Sequence, residues 1–256
     1  MVVIVTRPAS NGRRLFERVV ERGYRALWWP AFDIGAAPDA EGARKTLEQL
    51  ADYQLAIFVS ANAVYGARAL LRDAWPAGTL IGAVGASTRA AIEAEIHPPA
   101  GLIVTSQEGD QSPGSEAFWR AWQAAGYRAQ RVLLLRAEDG RPWLSEQFRA
   151  HGAKVDAVAV YTRHPHPLTP TELQQLQRLI TMSNPLAVIF SSTEAVAALD
   201  QQIDSPARAW LRTGTAIACH PRIAEQLLSN GYQRVVDATF DDESIIAKLE
   251  SIASKT

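Results

Sequence analysis

The stretch AIFVSANAV, residues 56–64, returns downstream as VIFSSTEAV, residues 188–196, with Ile, Phe, Ser, Ala and Val at matching places. An internal repeat constrains a fold more tightly than composition does, because each copy has to build the same supersecondary unit. Each copy is a short apolar run ending in hydroxyl residues before a helical pattern, which predicts a buried strand leading into a helix. A second pair has the same design. MVVIVTRPASNGRRLFERVVERG and RVLLLRAEDGRPWLSEQFRAHGAKV run from an apolar strand through an arginine, Arg7 or Arg136, and a Gly-Arg step into a helix stopped by Gly23 or Gly152. A third pair, GTLIGAVG from Gly78 and GTAIACHP from Gly214, adds another short strand with a tight turn. The three elements recur in the same order.

Short apolar runs alternating with helical patterns indicate parallel strands covered on both faces, because parallel neighbours need crossover connections. With 256 residues the chain can bury two cores of ordinary size. The predicted fold class is α/β, with two doubly wound parallel-sheet lobes. LWWPAFDIGAAP and VDAVAVYTRHPHP, extended and ended by proline, stand at equivalent points of the repeat and are the expected crossings between lobes. If both cross, the chain leaves lobe one near Ile34 and returns near Arg163. Periodicity equally allows a simple tandem order. The polar stretch QEGDQSPGS, residues 107–115, reads as a loop.

Lys plus Arg number 26 against 27 for Asp plus Glu, so no global field draws the chain to nucleic acid or an acidic membrane, and any anion site must be local. The single cysteine, Cys219, excludes an internal disulfide, fits a reducing compartment and reads as a packing residue. The first residues, MVVIVTRPAS, lack a basic n-region and a cleavage site, and no stretch approaches the ~20 apolar residues of a spanning helix. A soluble cytoplasmic protein is expected. Neither a dinucleotide fingerprint nor a phosphate loop occurs. His164 and His166 flank a proline with no third ligand at metal spacing, so no metal site is expected.

In open α/β sheets ligands lie beyond the carboxyl ends of the strands, where helix N-termini offer unpaired N–H groups. Those ends carry Thr6-Arg7, Ser60-Ala61-Asn62, Gly85-Ala86-Ser87-Thr88, Arg136, Ser191-Ser192-Thr193 and His220-Pro221-Arg222. Two facing rims of this kind suit a large, multiply anionic ligand. Hydroxyl residues are also the favoured N-caps whatever the function, and Ser191 with Glu194 has the spacing of a capping box. Arg7 and Arg136 are the arginines that the repeat directs to a ligand, although strand-end arginines also form ordinary ion pairs. Tyr161 lies in the second crossing, where a phenol projecting into a cleft can donate a proton; an amphipathic junction tyrosine is the plainer alternative.

VIVTRP, AIFVSANAV, IGAVGASTRAAIEA, GSEAF, RVLLLRAEDGR, HGAKVDAVAVYTR, VIFSSTEAV and IACHPRIAEQL follow one another over nearly the whole chain. In that order they resemble the uroporphyrinogen-III synthase family of tetrapyrrole biosynthesis. The resemblance implies two α/β lobes joined by a two-stranded linker, with a discontinuous first lobe. On this chain that gives lobe one from 1–34 and 165–256, lobe two from 37–160, and linkers near 32–36 and 160–164. It also implies dehydration and closure of hydroxymethylbilane, a linear tetrapyrrole with many carboxylates, to uroporphyrinogen III, with inversion of the terminal pyrrole ring through a spiro intermediate and without cofactor or metal. Tyr161 matches the family's favoured proton donor. Ser60, Asn62, Ser87, Thr88, Ser191, Ser192 and Thr193 match its product-contacting rims, and Arg7 and Arg136 join them as expected substrate-binding residues. His220-Pro221-Arg222 departs from the family's usual Gly-Thr-type turn. A monomer is expected, with transient contact to the deaminase that precedes it. Outside this reading stand a nucleotide-sugar transferase, for which no diphosphate loop is found, and a two-lobed solute-binding module, which calls for an export signal.

Overall fold

A computed structural model describes residues 1–106, 114–182 and 184–254. From the amino terminus, β1 (Val2–Val5), α1 (Ala9–Glu21) and β2 (Arg25–Trp28) are followed by β3 (Phe32–Gly35), α2 (Ala40–Glu48), β4 (Leu55–Phe58) and α3 (Ala61–Leu70). Next come β5 (Leu80–Ala83), α4 (Ala86–Glu95), β6 (Ile103–Thr105), α5 (Ser115–Ala124), β7 (Arg131–Ala137), α6 (Trp143–Ala150) and the long β8 (Lys154–Pro165). The chain ends with α7 (Pro170–Thr181), β9 (Leu186–Phe190), α8 (Thr193–Gln202), α9 (Ser205–Thr213), β10 (Thr215–Ala218), α10 (Pro221–Ser229), β11 (Arg234–Asp237) and α11 (Asp242–Ala253). Of the polar stretch expected as a loop, residues 107–113 lie outside the described residues; Ser115 already begins α5.

The chain divides into two compact units, Met1–Asp33 with His164–Thr256, and Ile34–Arg163. Unit 1 holds a five-stranded sheet of order β11-β10-β9-β1-β2, and the other sheet has six strands in the order β3-β8-β7-β4-β5-β6. Read from β11 and from β6, the two orders coincide position by position, with β3 as an extra edge. The repeat explains this. The first half of the chain supplies β1, β2, β4, β5 and β6, and the second supplies β7 to β11 in the same roles. Each sheet takes strands from both halves, so the tandem order of the sequence becomes an exchanged order in space, and the first lobe is discontinuous.

The registers make the equivalence residue by residue. Ile57 pairs with Leu134 as Ile189 pairs with Val5, so Arg136 and Arg7, each two residues further on, occupy the same place. Strands β1, β4, β9 and β10 are buried at every position, as parallel strands covered on both faces must be. The linking pair differs. Thr162 Oγ1 donates to the Ala36 carbonyl and the His166 N–H to the Ala31 carbonyl, so β8 and β3 run in opposite directions. His166 bonds Asp33 at 2.8 Å and Glu172 at 3.3 Å, which fastens β8 to α7 and the end of the first linker segment.

Candidate active site

The entrance to α3 places the expected catalytic residue. Ser60 is extended, with φ −163°, and its Oγ accepts the Ala63 N–H at 3.2 Å, capping the helix. The same Oγ lies 3.1 Å from the Tyr161 hydroxyl. Tyr161 is only 6% exposed, and its ring belongs to an apolar core with Phe58, Ala61, Val64 and Val160. A register shift between Arg136 and Ala137 brings it there: Arg136 pairs with Ala159, but Ala137 pairs with Tyr161. Side chains alternate faces along a strand, so an unbroken register would send Tyr161 away from the face that carries Val158 and Val160. The shift turns it onto that face, under α3. Gly66 lets the helix approach, since a Cβ there would meet the Val160 carbonyl oxygen at 2.3 Å.

Around this point Asn62 is half-buried in the first turn of α3, and its side chain makes no hydrogen bond to the described residues. Ser87 is exposed in the first turn of α4, whose N-cap Gly85 has the positive φ of 97° that glycine adopts freely. Thr88 is buried and donates to the Val84 carbonyl at 3.0 Å, so its hydroxyl serves the turn. Arg136 folds back over Gly140 and bonds that residue's carbonyl. A pocket whose lining includes Leu70, Leu71, Arg72 and Asp73 lies at the opposite end of α3 and takes in none of these groups.

In unit 1 the N-cap of α8 is Ser192, which accepts the Ala195 N–H at 3.1 Å. The capping box expected between Ser191 and Glu194 does not form. The strand ends at Phe190, Ser191 falls in the link, and Glu194 accepts from Thr193 instead. A true capping box joins Thr169 and Glu172 at the start of α7. His220 caps α10 through its imidazole, taking the Arg222 N–H at 3.1 Å, so this end keeps a cap without a hydroxyl.

Arg7 is 9% exposed and its guanidinium is engaged, with Asp242 at 2.8 Å and the Phe240 carbonyl at 2.9 Å. Asp242, at the start of α11, also accepts from Arg14 at 2.9 Å, and Arg18 approaches to 3.8 Å. Sequence reasoning did not single out Asp242; the acidic first turn DDE, suited to a helix N-terminus, was the available signal. Cys219 is buried, and desolvation pushes its thiol up to about 11 despite the nearby Arg7, in keeping with a packing role. Among the described residues no group of three or more His, Cys, Asp or Glu is arranged to hold a metal ion, and no helix is long and apolar enough to cross a membrane.

The model of the family described as uroporphyrinogen-III synthase HemD matches residues 13–247, most of the chain. The chain belongs to the uroporphyrinogen-III synthase family. A uroporphyrinogen-III synthase of Proteus mirabilis is 28% identical over 166 residues, which are 64% of this chain and 80% of that protein. The corresponding protein of Salmonella typhimurium is 28% identical over 166 residues, spanning 64% of this chain and 65% of its own length. Among solved structures, a mutant uroporphyrinogen III synthase of Thermus thermophilus aligns with a TM-score of 0.63 at 19% identity, covering 100% of this chain and 99% of that one. The uroporphyrinogen-III synthetase of Helicobacter pylori aligns at 0.59 and 16% identity, covering 98% of both. These likenesses in structure carry the two-lobe α/β fold.

Proposed function

We propose that the protein closes hydroxymethylbilane to uroporphyrinogen III with loss of water and inversion of the terminal ring. The observation that carries this reading is the Tyr161 phenol, turned by a strand irregularity against the capped N-terminus of α3, in a chain of this family. The hydroxymethyl C–O bond breaks as the lone pair of the adjoining pyrrole nitrogen moves in, and the departing hydroxide takes the Tyr161 proton and leaves as water. The substituted carbon of the last ring attacks the resulting cation to give a spiro intermediate; the bond from that carbon to its original methylene bridge then breaks, leaving a second cation on the neighbouring pyrrole, and the inverted ring closes on it through its free α-carbon. Rearomatisation releases a proton, which returns to the phenolate, so the cycle closes with water as the one by-product. The pyrrole supplies most of the driving force, and the protein's share is orientation plus one placed acid.

The substrate carboxylates are bound by helix-start amides near Ser60 and Thr88, whose own hydroxyls are already bonded, and by amides and polar side chains near Asn62, Ser87, Ser191, Ser192 and Thr193, with Arg136 as the cation beside them. Arg7, whose guanidinium is already bonded, is assigned to holding β1 to α11 rather than to substrate. The reading extends to a monomer in the cytoplasm that receives its substrate from a deaminase; the lone buried cysteine suits that compartment. A coupled assay tests the core of it: porphobilinogen and a deaminase are supplied, this protein is added, the products are oxidised and the porphyrin isomers resolved. Isomer III is expected, and isomer I alone would overturn the assignment.

A further inference from the structure

The two serine caps of the repeat form an internal comparison. Ser60 and Ser192 share an extended backbone, φ −163° and −156°, and each accepts from the amide three residues on. Only Ser60 has a phenol beside it, at 3.1 Å. In unit 1 the strand in the place of β8 is β2, and the residues after it, Trp29-Pro30-Ala31-Phe32, include no tyrosine. A cap uses one lone pair of the serine oxygen and leaves its proton and second lone pair for other work. At Ser192 the cap is complete with that one bond. At Ser60 the remaining capacity faces Tyr161.

We propose that Ser60 is the positioning residue of Tyr161, donating its own O–H to the phenol oxygen so that the tyrosine proton is delivered to the departing hydroxyl. The inference rests on the dehydration reading above. The Ala63 N–H donates to Ser60 Oγ at 3.2 Å, and Ser60 Oγ lies 3.1 Å from Tyr161 Oη, so with the serine as donor of this second pair the chain runs from the helix amide to the phenol. Linked hydrogen bonds polarise one another in the same direction. The chain starts at a helix N-terminus, whose partial positive charge favours the phenolate left after proton transfer. The ring itself needs no further orientation, because burial fixes it and Gly66 brings α3 directly onto β8. What Ser60 adds is a donor to the phenol oxygen on the side opposite to the proton that the phenol gives up.

The test compares kcat and KM on hydroxymethylbilane for the full chain and its Ser60→Ala, Ser60→Gly, Ser60→Thr and Tyr161→Phe variants, and for Ser60→Gly combined with Tyr161→Phe. Glycine removes the hydroxyl while costing a helix cap only a few tenths of a kcal/mol, so Ser60→Gly remains informative should Ser60→Ala fold poorly. Loss of one oriented hydrogen bond is expected to lower kcat by about five- to tenfold. KM should stay within about twofold, Ser60→Thr should restore the rate, and adding Ser60→Gly to Tyr161→Phe should cost nothing further. Melting of Ser192→Ala beside Ser60→Ala measures what loss of a cap alone does to stability. The proposal is overturned if Ser60→Gly lowers kcat equally with and without the Tyr161 hydroxyl, if it raises KM alone, or if a stably folded Ser60→Thr fails to rescue. Failure of the underlying reading looks different, because the unaltered protein then yields isomer I only.

Discussion

Tyr161→Phe keeps a ring in the core it shares with Val64 and Val160 and removes only the hydroxyl beside Ser60. A general acid contributes ~10² to 10⁴ in rate, and the lower end is expected here because the pyrrole nitrogen drives ionisation. Stability should fall by about 1 kcal/mol, the usual worth of one hydrogen bond. Isomer III should return as the variant's concentration is raised, since slow turnover merely lets spontaneous closure compete; a variant at saturation that still gives isomer I would mean that Tyr161 orients the substrate. Asp242→Ala probes a different kind of residue. It leaves the buried Arg7 guanidinium bonded to the Phe240 carbonyl but without its ion-pair partner, and breaking a buried pair costs about 3–5 kcal/mol. A melting temperature within a degree or two of the wild type would contradict a structural role for the pair. Arg7 was visible in the sequence because the repeat duplicates it as Arg136. Its partner was not, because the contact spans 235 positions.

Two packed elements decide where the candidate acid sits, and Gly66→Ala tests them. The added methyl would overlap the Val160 carbonyl, so α3 must move off β8, at a cost of about 1–3 kcal/mol. Activity should fall further than stability, because the same shift separates Ser60 from Tyr161; a fully active, equally stable variant would show that close packing is not needed. At the linker, burial by itself would lower the His166 imidazole, but the hydrogen bonds and charges of Asp33 and Glu172 outweigh it and hold its pKa above the ordinary 6.5. A raised histidine stabilises the fold fully below its unfolded pKa, and that contribution fades as pH rises through the folded value. His166→Gln should therefore lower the melting temperature more at about pH 6 than at about pH 9, and an equal drop at both would refute the charge pairing. At this scale the sequence was legible to within one residue. The strand-to-helix entrances were evident, yet capping-box spacing favoured Ser191, and the cap went to Ser192 because β9 runs to Phe190 and fixes where the helix begins.

For the whole molecule, the two units differ in how they can be cut. Residues 34–163 are one continuous stretch containing β4 to β8, whereas β1 and β2 must join β9, β10 and β11 across the length of the chain. The excised 34–163 segment is expected to show a cooperative melt by circular dichroism. Residues 164–256 alone should not, and should gain one when residues 1–33 are supplied; a cooperative melt of 164–256 by itself would show that β1 and β2 are dispensable. The sequence by itself determined the strand-and-helix alternation, the parallel sheets and the duplicated entrances, because apolar runs, caps and glycine stops act over a few neighbouring residues. Tertiary structure decided what neighbouring residues cannot. Periodicity is the same for tandem and exchanged halves, and the choice between them is made where β1 pairs with β9 and β4 with β7. It also decided the face on which Tyr161 lies, since strict alternation points it away from α3 and only the slipped pairing of β7 with β8, stabilised by packing on both sides of the strand, turns it back.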